Sequence, residues 1–359
     1  MNELVIMMIV FLVLLLINAP IAIVIGGSGI VWFLTTGDIP INIAVQRVIA
    51  QTQSISFLAV PFFIFAGNLM NRTGITPRLM KFSQVATRKM IGGTCQVSVL
   101  LSTLMGGVSG SAVADATMEA RILGPSMTER GYPKGYSCAV LCLTSLITAT
   151  IPPSLGLILY GFVGNVSIGR LFIAGLIPGI LMCLALMGTV WWTSKKAGYD
   201  IPDESVKAPS AGELLTCAKE CFFALIFPVL LILLIRFGLC TSTEAGAFAV
   251  MYALLCGTVI YHELNWDGFV QSLKDSVVDT GGIILIIAMS GIFSYALTVE
   301  KVPTVLGGVL LNLTDNPQIM MIMIILFLTV TGMVIDSNVN ILLFTPLILP
   351  VLTEMGVDP

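Results

Sequence analysis

An apolar stretch in the first half of the chain is interrupted at its centre by small and polar residues. Apolar residues extend from Ile91 to Leu123, and the segment Gly-Gly-Val-Ser-Gly-Ser at 106–111 divides them. Each part has about 15 residues, whereas a helix needs about 20 residues to cross the hydrocarbon core of a bilayer. We therefore predict a re-entrant hairpin, named hairpin 1, whose two half-helices meet at a tip inside the membrane. Backbone at that depth survives only when it is buried in protein or lines a wet cavity, so such a tip is typical of a binding site.

Further apolar segments predict membrane spans on both sides of hairpin 1. They cover residues 4–34 (one long or broken span, with a kink at Asn18-Ala19-Pro20), 56–70, 136–163, 171–192, 221–237, 243–262 and 281–297. Residues 38–53 are shorter and only moderately apolar, which favours a helix that lies at the membrane interface. Residues 193–220 form a polar linker between two halves, and short apolar pieces at 303–313, 318–331 and 339–352 complete the pattern.

Basic residues cluster in three of the connecting segments. They are Arg72, Arg78, Lys81, Arg88 and Lys89 before hairpin 1, Arg121, Arg130 and Lys134 after it, and Lys195, Lys196, Lys207 and Lys219 in the linker. Under the positive-inside rule these segments face the cytoplasm, so hairpin 1 starts and ends on one side of the membrane. Two full spans would give the same charge pattern, and the prediction of a hairpin therefore depends on segment length.

The composition is that of a multi-pass membrane protein. Of the 359 residues, 57% are hydrophobic and 10% are charged, whereas about a quarter of the residues in soluble domains are charged. The eight cysteines show neither metal-ligand spacing nor a disulfide framework, and no basic tract suggests nucleic-acid binding. The one histidine, His262, closes a predicted span, and no hydrolase motif accompanies Ser109. The pattern therefore argues against an enzyme.

A repeat relates the two halves of the chain. Pro125, Thr128, Glu129 and Gly131 recur as Pro350, Thr353, Glu354 and Gly356 at a constant offset of 225, and Gly106 and Ser111 recur as Gly332 and Ser337 at an offset of 226. We therefore predict a second hairpin, named hairpin 2, with its tip at 332–338. The charge pattern gives corresponding spans of the two halves opposite directions. Inverted repeats that each contain a broken helix are typical of secondary transporters.

The predicted fold class is an all-α polytopic membrane protein with inverted repeats, two re-entrant helical hairpins and broken helices. We divide the chain into 1–90 (N-terminal spans, interfacial arm and scaffold), 91–192 (transport core with hairpin 1 and a broken helix), 193–220 (cytoplasmic linker), 221–302 (second-half scaffold spans) and 303–359 (hairpin 2 region). Because the second half ends before a counterpart of Pro152-Pro153, we expect further chain beyond Pro359.

The two adjacent prolines Pro152 and Pro153 interrupt the span at 136–163 and predict unwound backbone over residues 148–154. Unwound carbonyls and nearby hydroxyls suit a hard monovalent cation, with Na⁺ as the coupling ion and no other cofactor expected. The predicted sodium-binding residues are Gly107, Ser109, Ser111, Thr148, Thr150, Gly332, Asp336, Ser337 and Asn338. The predicted substrate-binding residues are Ser109, Pro152, Ser154 and Asn338, with Pro153 as a further functional residue. Half-helix N-termini at both tips favour a carboxylate-bearing substrate.

Several of these residues also have a purely structural interpretation. Small residues at the tips permit close helix packing, and Pro152-Pro153 can act as a simple kink. Asp115 either orients a ligand, is a paired intramembrane carboxylate or reaches toward the basic segment after hairpin 1. Asp336 can ligate a cation, take up a proton or cap the half-helix that follows it.

Motifs spread over nearly the whole chain resemble one transporter family. They are Pro-Phe-Phe-Ile-Phe-Ala-Gly-Asn-Leu-Met at 61–70, Gly-Val-Ser-Gly-Ser-Ala-Val-Ala-Asp at 107–115, Ile-Pro-Pro-Ser at 151–154 with Tyr160-Gly161, Ala-Gly-Leu-Ile-Pro-Gly at 174–179, Thr-Glu-Ala-Gly-Ala at 243–247, and Asp336-Ser337 with Pro346 and Pro350. In these motifs the chain resembles the large membrane subunit of tripartite ATP-independent periplasmic (TRAP) transporters, which import sialic acid, C4-dicarboxylates and other organic acids.

The resemblance implies a mechanism, partners and a location. It implies an elevator mechanism, in which a transport domain that carries both hairpins moves against a scaffold, coupled to sodium. It further implies a small four-helix membrane subunit, a periplasmic protein that delivers the organic acid, and a multi-pass location in the lipid bilayer of the bacterial inner membrane.

Other classes of function remain open at the level of the sequence. A channel could use a re-entrant hairpin as its selectivity filter. A sodium- or proton-coupled anion transporter without a binding protein, and a scaffold without transport of its own, are also compatible with the residues.

Overall fold

The computed structural model describes residues 2–37, 39–53, 55–202, 208–302, 305, 308, 316–333 and 335–359, and these residues form helices and no strands. The first helices are α1 (Asn2–Leu16), α2 (Ile21–Thr36), α3 (Asn42–Thr52), α4 (Ala59–Met70), which follows a 3₁₀ turn at Ile55–Leu58, and α5 (Ile75–Thr87). Next come α6 (Gly93–Gly106), α7 (Ala112–Glu129), α8 (Lys134–Thr150), α9 (Leu155–Val163), α10 (Ile168–Ala197) and α11 (Ala211–Glu220). The last are α12 (Phe222–Arg236), α13 (Ser242–Leu255) with a π-helical turn at Cys256–Ile260, α14 (Trp266–Val299), α15 (Pro317–Gly332) and α16 (Ser337–Glu354).

Several of these helices are long and apolar enough to cross a membrane. Among the described residues, the helices that satisfy this criterion singly are Ile168–Ala197, Ser242–Ile260, Trp266–Val299 and Ser337–Glu354. Two bent pairs satisfy it together, α8 with α9 at 51° and α11 with α12 at 63°, which gives four spans or up to six. The multi-pass prediction is therefore confirmed at this level, and the predicted piece at 303–313 lies largely outside the described residues.

The chain divides into two compact units. Unit 1 comprises Met1–Leu58, Leu159–Val166 and Val278–Pro359, and unit 2 comprises Ala59–Ile158 and Ser167–Val277. Hairpin 1 belongs to unit 2 and hairpin 2 belongs to unit 1, and each is described within its own unit. The five-part division of the sequence stays a prediction.

The chain breaks at Asn18-Ala19-Pro20, which decides between the long span and the broken span that the sequence leaves open. Asn18 has a φ of +59°, and the Ala19 N–H donates to the Leu14 carbonyl at 3.1 Å. This pattern is a common way to end a helix, because a left-handed residue lets the chain turn back over its last carbonyls. Residues 4–34 therefore form two helices. The Leu14 side chain of α1 packs close to Gly27 of α2, because a Cβ placed on this glycine would lie 3.4 Å from the Leu14 Cδ1 atom.

The core of unit 1 is built from aromatic and branched side chains of α1, α2, α14 and α16. Trp32 is completely buried, and its indole N–H donates to Glu300 Oε1 at 3.0 Å. Phe33 stacks on Tyr295 with ring centroids 5.7 Å apart, and the Arg47 guanidinium lies 4.4 Å from the centre of the same tyrosine ring. Helix α3 is thus attached to α14 within this unit.

Two segments predicted to be non-helical contain helices, and one span is longer than predicted. Residues 71–90 include α5, because Ile75, Leu79 and Met80 bury one face of an amphipathic helix. The linker includes α11, which begins with a capping box formed by Ser210 and Glu213. The span predicted at 281–297 is the end of α14, whose N-terminal half is more polar and was therefore missed by a purely apolar criterion.

Charged side chains of α5 and of Arg88, the residue that follows it, contact α11 within unit 2. Lys81 Nζ lies 2.8 Å from Glu220 Oε2, and Arg88 Nη2 lies 2.9 Å from Glu213 Oε2. The hydrogen bond and the charge of Glu220 raise the pKa of the Lys81 ammonium group. The basic residues of the predicted cytoplasmic segment are therefore partly paired with acids of the linker.

The second helices of the two hairpins share their length and both of their ends. Helices α7 and α16 each have 18 residues, and their limits differ by the offset of 225 found in the sequence. In α7 the Tyr132 N–H donates to the Met127 carbonyl at 3.1 Å, and in α16 the Val357 N–H donates to the Leu352 carbonyl at 3.0 Å. The intervening glycines, Gly131 and Gly356, have φ of +85° and +80°. Both helices thus end in the same glycine cap.

Candidate functional site

Hairpin 1 is a pair of antiparallel helices. Ser102 of α6 hydrogen-bonds Asp115 of α7, and Ser98, one turn earlier in α6, hydrogen-bonds Glu119, one turn later in α7. The hydroxyls of Ser98 and Thr144 are hydrogen-bonded, and one turn later the Thr148 hydroxyl donates to the Ser102 carbonyl. Helix α8 therefore runs parallel to α6. The predicted arrangement of two helices around the segment 106–111 is therefore present, with α6 ending at Gly106 and α7 beginning at Ala112.

The tip of hairpin 1 packs against the break between α8 and α9. Gly110 has a φ of +61°, and a Cβ at this position would overlap the Pro153 carbonyl oxygen. The Gly110 carbonyl accepts a hydrogen bond from the Leu155 N–H at 3.4 Å. A Cβ on Gly106 would lie 2.7 Å from the Ile151 Cβ atom. The sequence-predicted tip and the sequence-predicted break thus form one contact region, which requires glycine for its close approach.

The break is shorter than the predicted unwound segment. Helix α8 continues through Thr150, and the Ile151 N–H still donates to the Ile147 carbonyl at 2.9 Å. A proline lacks the N–H that would pair four residues back, so Pro152 and Pro153 release the Thr148 and Ala149 carbonyls without affecting earlier turns. Unwinding is therefore confined to Ile151–Ser154, and the prediction that it begins at residue 148 is wrong.

The hydroxyls predicted to bind sodium have different surroundings. Ser109 Oγ is buried and has no hydrogen-bond partner among the described residues. Ser111 Oγ accepts from the Ala114 N–H at 3.4 Å and so caps α7. Thr150 Oγ1 donates to the Leu146 carbonyl of its own helix at 2.8 Å. Among these three, Ser109 has the hydroxyl that most needs a further partner. Gly107, the remaining tip residue of this set, is buried against Pro228.

The residues predicted to bind substrate at the break are buried. Pro152 and Ser154, which are predicted to bind substrate, are buried, and so is Pro153, which is predicted as a further functional residue. The Ser154 hydroxyl donates to the Ala149 carbonyl, one of the two that the prolines release. Ser154 thus satisfies one freed carbonyl, whereas no side chain of the described residues donates to the Thr148 carbonyl. The roles of Pro152 and Ser154 in substrate binding, of Thr148 in sodium binding and of Pro153 as a functional residue stay predictions.

A buried network of carboxyls and hydroxyls lies beside the tip, between α6, α7 and α8. Asp115 and Glu119 are 1% and 0% exposed. Ser102 Oγ lies 2.7 Å from Asp115 Oδ2 and 2.8 Å from Glu119 Oε1. Thr148 Oγ1 lies 2.6 Å from Asp115 Oδ2 and 2.9 Å from the Ser102 carbonyl. Asp115 and Glu119 therefore share the Ser102 hydroxyl, and Asp115 does not reach toward the basic segment. Its roles as a ligand-orienting residue or as a paired intramembrane carboxylate stay predictions.

The tip of hairpin 2 is capped by its own acid. Asp336 Oδ1 accepts from the Asn338 N–H at 2.9 Å and begins α16. Ser337 is exposed, and Asn338 is half-buried. The Asn340 Nδ2 atom lies 3.4 Å from a Cβ placed on Gly332, and its Oδ1 atom is buried without a partner among the described residues. The capping interpretation of Asp336 is confirmed, and its roles as a cation ligand or proton acceptor stay predictions.

Comparisons with known proteins agree on one family. The family model described as "Tripartite ATP-independent periplasmic transporter, DctM component" matches residues 8–359. The chain belongs to this TRAP transporter family.

Curated relatives of this TRAP permease cover nearly its whole length. The sialic acid TRAP transporter large permease protein SiaM of Vibrio cholerae is 35% identical over 328 residues, which are 91% of this chain and 76% of the relative. The 2,3-diketo-L-gulonate TRAP transporter large permease protein YiaN of Escherichia coli is 32% identical over 345 residues, 96% of this chain and 80% of the relative. The isethionate TRAP transporter permease protein DctMQ of Oleidesulfovibrio alaskensis is 31% identical over 351 residues, 97% of this chain and 54% of the relative.

Sequence reasoning missed most of the carboxyl–hydroxyl network of this TRAP permease. It singled out Asp115 and Thr148 but not Glu119. A signal was present, because three apolar segments each carry two polar residues four positions apart. These pairs are Ser98 and Ser102, Asp115 and Glu119, and Thr144 and Thr148. Residues at that spacing share a helix face, so each pair forms a polar stripe on its helix.

Proposed function

We propose that this TRAP permease is the membrane transport subunit of a sodium-coupled importer of organic acids in the bacterial inner membrane. It works with a small membrane subunit and a periplasmic substrate-binding protein. The observation that carries the proposal is the contact between the tip of hairpin 1 and the break at Ile151–Ser154. Two broken helices that meet provide backbone carbonyls, hydroxyls and helix N-termini at one place, as secondary transporter sites require.

Neutral oxygens at this contact support a monovalent cation as the coupling ion. The Thr148 carbonyl is released by Pro152, and the Ser109 hydroxyl is buried without a partner among the described residues. Sodium is a hard cation and is bound by oxygen ligands of this type. The uncompensated oxygens are therefore explained if sodium completes their coordination.

Two observations support an organic acid as the substrate: the partial positive charge of two helix N-termini and the substrates for which the relatives are named. The N-terminus of α7 at Ser111 and that of α16 at Asp336 present partial positive charge, which stabilises a carboxylate or sulfonate. The relatives that this chain matches are named for sialic acid, 2,3-diketo-L-gulonate and isethionate, and all three are organic acids. We assign the chain to this substrate class.

Alternating access by an elevator movement fits the repeated hairpin. Helices α7 and α16 have equal length, the same type of glycine cap and an N-terminal side-chain cap. Two inverted copies of such a unit allow two alternative conformations of similar energy, which is the basis of alternating access. In this proposal both hairpins move as parts of the transport domain.

The test is uptake into proteoliposomes that contain the full-length chain with its small membrane subunit and binding protein. Labelled sialic acid, 2,3-diketo-L-gulonate and isethionate are screened first against the binding protein, and the best ligand is then used for uptake. We expect uptake to require an inward sodium gradient and to stop when K⁺ replaces Na⁺. Uptake that proceeds unchanged in K⁺, or an ohmic, non-saturating current, would overturn the proposal.

The matched variants are Ser109→Ala and Thr103→Ala. Ser109→Ala removes the unpartnered hydroxyl, whereas Thr103→Ala removes a hydroxyl that donates to the Val99 carbonyl of its own helix at 2.7 Å. We expect Ser109→Ala to raise the sodium concentration for half-maximal uptake about tenfold, since one lost ligand is worth about 1.4 kcal/mol. Thr103→Ala should keep the wild-type sodium titration. Equal titrations of both variants would assign Ser109 to helix packing.

A further inference from the structure

Glu119 is a carboxyl group buried inside hairpin 1 without a basic partner. It is 0% exposed, and none of the ion pairs among the described residues includes it. Its contacts are the hydroxyls of Ser98 and Ser102 on α6 and of Thr144 on α8. An ionised carboxylate in such surroundings carries a large desolvation penalty, which protonation removes.

The Ser102 hydroxyl has too few hydrogens for its two contacts with carboxyl oxygens. Ser102 Oγ lies 2.7 Å from Asp115 Oδ2 and 2.8 Å from Glu119 Oε1, both in hydrogen-bond distance. A serine hydroxyl has one hydrogen and can donate to only one of these oxygens. The other short contact needs a hydrogen on the carboxyl oxygen, since two acceptors repel each other at this distance. At least one of the two carboxyls therefore carries a proton.

The surroundings of the two acids indicate which of them holds that proton. Asp115 is the fourth residue of α7, inside the first turn, where the partial positive charge of the helix N-terminus stabilises an anion. Its Oδ2 atom also lies 2.6 Å from the Thr148 hydroxyl, whose one hydrogen is shared with the Ser102 carbonyl at 2.9 Å. Glu119 lies one turn further along, where the effect of the helix terminus has faded. Two adjacent carboxylates repel each other, so an ionised Asp115 favours a protonated Glu119.

We propose that Glu119 is a proton-binding site inside hairpin 1, and that release of this proton slows transport. In the protonated form Glu119 donates through Oε1 to Ser102 Oγ, and Ser102 donates to Asp115. The proton exchanges with water, and its release leaves two negative charges on either side of one hydroxyl. The hydroxyl contacts that join α6, α7 and α8 then weaken. Among the described neighbours of Glu119, α6 and α8 contribute only uncharged hydroxyls, and Asp115 on its own helix is the titratable group.

The first test detects the proton directly and does not depend on sodium coupling or on transport. Infrared spectra of the full-length chain in its complex are recorded at about pH 7, where exposed carboxyls are ionised. We expect a carbonyl band from a protonated carboxylic acid that shifts in D₂O. The band should be lost in Glu119→Gln and retained in Glu129→Gln, a control at the exposed end of the same helix. Absence of the band in the wild type, or its retention in Glu119→Gln, would overturn the proposal.

The second test measures uptake as a function of pH at a fixed sodium gradient. We expect wild-type uptake to fall several-fold as the pH is raised into the alkaline range, because Glu119 loses its proton. Glu119→Gln retains a neutral side chain at every pH and should give a flat profile, whereas Glu129→Gln should follow the wild type. Identical profiles for wild type and Glu119→Gln would contradict the proposal. So would a protonated-carboxyl band that sodium abolishes at constant pH, since Glu119 would then bind the cation.

Discussion

Glycine is required at position 110 by two independent constraints. Its φ of +61° lies in the left-handed region, which costs an L-residue with a Cβ about 1–2 kcal/mol. A Cβ would also overlap the Pro153 carbonyl oxygen, so the tip of hairpin 1 and the break after α8 would have to separate. The close approach of these two segments therefore depends on one missing side chain.

We expect Gly110→Ala to lower the free energy of unfolding by at least about 2 kcal/mol and to abolish sodium-dependent uptake. The measurement is the thermal unfolding midpoint of the purified complex together with the uptake rate. Gly124→Ala is the matched control, because no atom lies within 4 Å of a Cβ placed at that position of α7. The control should be neutral or stabilising by about 0.5–1 kcal/mol. Equal midpoints for the two variants would mean that the tip is free to adjust.

The buried hydroxyls show why residue-level reasoning was incomplete. Ser98, Ser102 and Thr144 each resemble the small polar residues that commonly fill helix interfaces in membranes. Only the antiparallel register of α6 and α7 and the parallel register of α6 and α8 bring their oxygens to Glu119. That register is set by side chains distributed along three helices, so no single segment contains it.

At the scale of the helices, Asp200 connects the two ends of hairpin 1, the start of α6 and the end of α7. Helix α6 begins after Gly92, which has no side chain to cap it, and Asp200 Oδ2 accepts from the Thr94 N–H at 2.7 Å instead. Asp200 Oδ1 accepts from Arg130, just beyond the end of α7, at 2.5 Å. Its backbone carbonyl accepts from the Gly92 N–H at 3.1 Å. A residue of the predicted linker thus joins the start of one hairpin helix to the end of the other.

We expect Asp200→Ala to lower the free energy of unfolding by about 2 kcal/mol, because it removes a helix cap and a hydrogen-bonded charge. Its side chain is 6% exposed, whereas Asp275, which pairs with Arg72, has a side chain that is 41% exposed. Asp275→Ala should change stability by less than about 0.5 kcal/mol, as exposed ion pairs usually do. Thermal unfolding of both variants in the same detergent checks the difference. Equal losses would show that Asp200 acts only as a surface charge.

The sequence repeat between the two hairpins is explained by the ends of their second helices, α7 and α16. The match of Gly131 with Gly356 reflects a shared helix end, since both glycines adopt positive φ and precede the same hydrogen bond. The helix starts pair Ser111 with Asp336, because these two residues cap α7 and α16. The sequence comparison placed Ser111 opposite Ser337, one residue later. Serine and aspartate can both cap the N-terminus of a helix. A comparison that counts only identical residues therefore did not find the correspondence of Ser111 with Asp336.

For the whole molecule, the proposed coupling predicts a response to membrane potential. If the sodium ions that enter carry more charge than the substrate anion, net positive charge moves inward. An inside-negative potential then favours uptake by about 2.3 kcal/mol per net charge for each 100 mV. Uptake is measured at a constant sodium gradient while a potassium diffusion potential is imposed with valinomycin. We expect faster accumulation when the interior is negative, and rates independent of the potential would contradict net positive charge movement.

The sequence by itself determined the class of molecule and the positions of its breaks. Apolar length and composition indicated a multi-pass membrane protein, and the family comparison confirmed the resemblance to TRAP permeases. Pro152-Pro153 and the glycines at 106–110 marked the break and the tip, because proline lacks an N–H and glycine lacks a Cβ, and both effects are local. The tertiary structure decided which polar groups meet. Glu119 is hydrogen-bonded to hydroxyls of α6 and α8, and Asp200 caps the start of α6. These contacts depend on helix register, which is fixed by packing between distant segments.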